Sequence, residues 1–150
     1  MNLVSIRAAV KSKLLTISGI SIVHDYLRWS NHWNTFLSLF KTDADIINGW
    51  MITRDKTPSR ISSRTTAERE HNIRLIGVYG LDDSEATEIT FQAQVEAITA
   101  AFDADCDLGG TTFKCKPCQV EVFEPRMFGS VLCHYTELLL IVHETQTYTV

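Results

Sequence analysis

Cys115-Lys-Pro-Cys118 holds two nucleophiles at a spacing that chemistry uses, the C-x-x-C of a dithiol couple or of half a zinc site. A dithiol couple of the thioredoxin kind opens a helix, whereas this pair leads into a strand-like run. A zinc site needs a second pair of ligands, and only the scattered Cys106, Cys133 and His134 are on offer. All four cysteines are therefore expected to be reduced, structural and metal-free. The serines fall in caps and loops, with no G-x-S-x-G elbow. Gly77, Gly80, Gly109 and Gly110 make neither a G-x-G-x-x-G turn nor a P-loop. His134 and His143 are nine residues apart on one strand-like run, so they face opposite ways about 30 Å apart and cannot share a ligand. His24 and His32 have no evident acid or metal partner. No catalytic residue is expected, and an enzyme would have to be built from residues that converge only in space.

Charge is more informative than nucleophiles. The net charge of −4 disfavours a dedicated nucleic-acid binder. It is also unevenly spread. Residues 82–107 carry eight acids (Asp82, Asp83, Glu85, Glu88, Glu96, Asp103, Asp105, Asp107) and no base, while 54–70 carries five bases (Arg54, Lys56, Arg60, Arg64, Arg69) against three acids. Arginine pairs with carboxylates through a planar fork of donors, so the basic stretch suits an acidic protein surface. No aromatic residues interleave it as single-strand nucleic-acid binding would require. Glu85, Glu88, Glu96 and Asp103 fall on one stripe of a helix, matched either to water or to a basic partner.

The elements that carry these residues follow from hydrophobic spacing. Leu3, Ile6, Val10, Leu14 and Ile17 form a helical stripe, with Asn2 as N-cap and Gly19 as the left-handed terminator. Ile20–Tyr26 alternates as a short strand. Ser30 or Asn31 caps a second helix in which Trp33, Phe36, Leu37 and Phe40 repeat at helical spacing, a stripe that suits a core or a partner-binding face. Strands are predicted over 46–53 and 71–79, and between them 54–70 reads as a long polar loop, either functional or a solvated hairpin tip. Asp82 and Glu85 have capping-box spacing at the head of a long helix buried through Phe91, Val95, Ile98 and Phe102. Val120–Phe123 and Val131–His143 form a hairpin joined by residues 124–129. Its Leu138–Val142 run is apolar on both faces and is expected to be an inner strand covered on both sides.

One domain of 150 residues, 45% hydrophobic and 21% charged, is long enough to bury a core. The expected fold is α+β: a mixed, mostly antiparallel sheet with helices packed mainly on one face. No apolar run approaches the roughly 20 residues that span a bilayer. The first fifteen residues lack a secretory apolar core and cleavage site, so folding in a cytoplasm is expected.

This order of elements, together with NGWMITR, the polar 54–70 stretch, IRLIGVYGLDDSEATEITFQAQVEAITAAF and VEVFEPRMFGSVLCHYTELLLIVHE, resembles the tail terminator (tail completion) proteins of long-tailed bacteriophages. The likeness covers nearly the whole chain. It implies a structural virion protein of the tail and neck, assembled in the host cytoplasm as a hexameric ring. Such a ring caps the tail tube protein and docks on the head–tail connector, with no cofactor, no metal and no catalytic residues. A connector or another minor neck component is the neighbouring reading. The resemblance assigns no role to Cys115 and Cys118. Segregated charge would supply the two unlike patches that a ring contact needs.

Overall fold

Three long runs of alternating apolar residues pair into one sheet, and the rest of the chain is arranged around them. The computed structural model describes residues 2–110 and 114–149. Strand β1 (Val23–His24) pairs in parallel with β2 (Asn48–Lys56), and β2 pairs antiparallel with β4 (Thr66–Gly80). On its other side β4 runs antiparallel to β7 (Val131–Thr147) over its whole length, from Thr66 against Thr147 to Gly80 against Cys133. Strand β3 (Ser59–Ser63) continues β2 past an irregularity and also pairs with β4, while β5 (Lys114–Cys115) and β6 (Gln119–Phe128) share the far side of β7. All pairs but the first are antiparallel. The protein is α+β, with a mixed sheet of seven strands and three α-helices among the described residues.

Period-2 alternation divides the sheet into two faces. One carries Trp50, Ile52, Ile73, Leu75, Leu138, Leu140 and Val142 and is covered by α1 (Leu3–Leu15), through Ile6, Val10 and Leu14, and by α3 (Thr87–Ala104), through Phe91, Val95, Ile98 and Phe102. Gly77 lets the Trp50 indole lie flat on the sheet, since a Cβ there would stand 2.6 Å from the ring. Trp50 Nε1 donates to Gln94 Oε1 of α3 at 3.3 Å. The other face, at the opposite end of the strands, packs Met51, Ile76, Val78, Cys133 and Tyr135 against Phe36, Leu37 and Phe40 on or beside α2 (Trp33–Ser38). The two long helices thus share one face and the short one takes the other.

Asn2 caps α1 as expected: its Oδ1 accepts from the Ser5 backbone N–H at 2.9 Å, and Ser5 Oγ accepts from the Asn2 N–H at 3.0 Å. Gly19 has φ +88°, although α1 ends before it at Leu15. Other expectations are corrected. The Ile20–Tyr26 strand shrinks to Val23–His24. Helix α2 follows His32, without a side-chain cap from Ser30 or Asn31. Asp82 does not cap α3. Its carboxylate accepts from the Ser84 hydroxyl, a 3₁₀ turn follows over Asp83–Glu85, and Ala86 (φ 52°) breaks the chain before α3 begins. Residues 124–128 are strand, not connection, so the β6–β7 turn is only Gly129-Ser130. Gly129 is required there by φ +66° and by Trp33, 2.9 Å from a Cβ at that position.

The largest correction concerns the polar loop. Residues 54–70 are strand almost throughout, in β2, β3 and the first third of β4, turning only at Arg64-Thr65. The β2 and β3 parts pair with β4, and the C-terminal end of β7 supplies a second neighbour for β4 as far as Thr66. Leu138–Val142 is an inner strand between β4 and the β5/β6 side, but fully covered on one face only. Leu138, Leu140 and Val142 are buried, and Leu139 and Ile141 on the reverse face are half-exposed.

Candidate assembly surfaces

Beyond the helical layer, β3, the start of β4 and the end of β7 continue as a three-stranded arm. Every residue of β3 is exposed, including Ile61 at 85%. Most of the arm's charges are spent inside it. Arg60 Nε donates to Glu68 Oε2 at 2.6 Å, and that guanidinium holds the Glu68 carboxyl below its usual range. His143 lies 3.8 Å from Glu68 and 3.9 Å from Glu70, and Lys116 Nζ is 3.3 Å from Glu70. On the reverse face His71 Nε2 and Glu144 Oε2 lie 2.5 Å apart, both buried, and Thr57 Oγ1 sits 3.0 Å from His71 Nδ1. These three groups tie the end of β2 to β4 and β7 at the root of the arm.

Of the bases expected to meet partners, Arg54, Lys56 and Arg64 are exposed, Arg60 is engaged by Glu68, and Arg69 Nη2 donates to the Tyr148 hydroxyl at 3.4 Å. The acids Glu85, Glu88 and Glu96 are exposed. Asp103 accepts from the Cys118 backbone N–H at 3.0 Å and thereby fixes the start of β6. The structure does not bring the basic and acidic sets together within the chain as ion pairs; each base that is paired finds an acid on its own arm.

The cysteines are free thiols, with Cys106 exposed. Burial pushes Cys115 and Cys118 up to about 12 and Cys133 up to about 11. A redox or metal-binding thiol requires the opposite shift, because the thiolate is the reactive form. Among the described residues, no group of three or more His, Cys, Asp or Glu is placed to hold a metal ion. His134 is buried beside the rings of Tyr79, Phe91 and Phe123, with Nε2 2.9 Å from Thr87 Oγ1. Burial lowers its pKa against a smaller opposing pull from Glu88, so the neutral ring is favoured.

At the other end of the strands lies a groove of about 590 Å³. Its apolar floor comes from Leu37 on α2, Ile46 and Ile47 before β2, Tyr79 and Leu81 around the end of β4, and Leu132 on β7. Asp45, Asp82 and Glu85 line it, with Lys41 as the single base, 3.5 Å from Asp45. Beside it the indoles of Trp29, 70% exposed, and Trp33 meet edge to face at 6.0 Å. Phe36, Leu37 and Phe40 of the aromatic stripe are core; Trp33 is surface. Sequence reading missed this groove. Its residues come from four separated segments and share no spacing, and the one available signal was the pair of tryptophans four apart. Compared with protein-family models and with curated proteins, the sequence matches none.

Proposed function

We propose that the protein is a structural component of a phage virion, a ring that caps the tail tube and joins the tail to the head connector. It works by contact and without catalysis. The arm carries this reading. A chain selected only to fold has no use for strands that run past the core, bury little, and hold an exposed isoleucine on a paired edge strand. A protein that must lock onto copies of itself and onto a tube does. The layout of the sequence, similar to tail terminators along nearly its whole length, points the same way. On this reading the partners are further copies of the chain, the tail tube protein and the connector, and the place of action is the neck of the virion.

Negative-stain images of the purified protein test it. Six-fold rings support a terminator. Twelve-fold rings would reassign the chain to the connector, and particles without rotational symmetry at any concentration would remove the ring reading.

A further inference from the structure

The arm and the groove are unlike surfaces at opposite ends of the same strands. The groove gathers at the Gly80 end of β4 and the Leu132 end of β7, while the arm is built from the Thr66 end and the Thr147 end. Strand β4 has 15 residues, and at about 3.3 Å per residue its ends are roughly 45 Å apart. The arm of one chain cannot reach its own groove.

Their chemistry nevertheless matches. Residues 59–66 at the tip hold Arg60 and Arg64 and no acid, with Ile61 as the protruding apolar side chain. The groove offers an apolar floor and three acids against one base. Arg60 is already engaged by Glu68, which leaves Arg64, exposed on the turn, to meet the acidic rim. An apolar anchor entering a pocket, flanked by a charge that selects orientation, is how most interfaces divide affinity from specificity.

We infer that the hairpin tip of one copy, led by Ile61 and Arg64, seats in the groove of the next copy, with Ile61 against Ile46 and Leu132 and Arg64 facing Asp82 and Glu85. The contact is heterologous, with each copy giving an arm and receiving one, so it propagates head to tail until a ring closes. The occupant is a second copy because every chain carries both halves of the match and can satisfy neither alone. This rests on the reading of the chain as a ring-forming protein. It places the acidic half of the contact at the 3₁₀ turn and groove, away from Glu96 and Asp103 farther along α3.

Two variants of the full chain test it by sedimentation velocity: Ile61→Asp, which spoils only the arm, and Leu132→Asp, which spoils only the groove. Both positions are exposed, so each variant should keep the far-UV circular dichroism spectrum and the cooperative unfolding of a folded chain, with an unfolding temperature below the parent's only by what assembly contributes. Should Leu132→Asp fail that check, Asp82→Lys combined with Glu85→Lys serves as the groove variant. The unsubstituted chain is expected to sediment as an oligomer and each variant alone as a monomer. An equimolar mixture is expected to form a species of two chains and nothing larger, because one intact arm then meets one intact groove. A mixture that stays monomeric, or either variant assembling like the parent, overturns the arm–groove contact while leaving a ring built some other way. A parent chain that stays monomeric at every concentration overturns both.

Discussion

Leu139 and Leu140 are neighbours of the same type in the middle of β7, and hydrophobic patterning treats them alike. The structure separates them. Leu140 is 0% exposed in the core beneath α1 and α3, whereas Leu139 lies on the reverse face, half-exposed. Truncating Leu140 to alanine removes three carbon groups from full burial, about 2.4 kcal/mol at about 0.8 kcal/mol each. The neighbours cannot collapse freely, since Leu140 stands on a strand paired on both sides. The residual cavity then adds about 1–2 kcal/mol, for a total on the order of 4 kcal/mol, inside the range of about 2.7–5 kcal/mol for buried leucines. For Leu139→Ala, part of the side chain is in water already and no closed cavity is left, so about 1 kcal/mol is expected. Urea unfolding of both variants, at one protein concentration and with unchanged m-values, measures the difference. Equal losses would show that β7 is covered on both faces, as its sequence suggests. A loss below about 1 kcal/mol for Leu140→Ala would remove β7 from the centre of the core.

Two further outcomes follow from buried polar groups. Replacing His71 by leucine strands the Glu144 carboxylate in the interior, and a loss of about 3–5 kcal/mol is expected. The double variant His71→Leu with Glu144→Leu should recover much of it, and strictly additive losses in denaturant unfolding would contradict the pairing. For His134, burial depresses the folded-state pKa below the ordinary value of 6.5, so below that pH the unfolded chain binds more protons than the folded one. The stability of the parent relative to His134→Gln should be constant above about pH 6.5 and fall as the pH drops toward the folded-state pKa. A difference that stays flat or grows toward low pH, measured by unfolding across pH 7.5–5, would refute the burial argument.

How much was legible depends on how far apart the deciding residues are. Helix α1, its Asn2 cap, the buried stripe of α3 and the central position of β7 all follow from residues within a few turns or pleats of one another. Periodic burial is local information, and the chain states it directly. The charged candidates were readable as residue types but not as free groups. Nothing near Arg60 or Asp103 in the chain indicates that Glu68 across a hairpin, or the Cys118 N–H across the β5–β6 corner, has already engaged them.

The sequence by itself determined an α+β domain with two amphipathic helices on a mostly antiparallel sheet, because water sorts apolar faces wherever they recur at a fixed period. Only the tertiary structure decided that 54–70 is an arm and not a loop. With both faces largely in water the stretch shows no alternation, and its 66–70 part is held by the end of β7, some 80 residues farther along, as in Thr66 against Thr147. The His71–Glu144 pair, 73 residues apart, and the groove drawn from four segments have the same origin. Each is a meeting of distant parts of the chain, set by strand register and helix packing, and no local spacing encodes it.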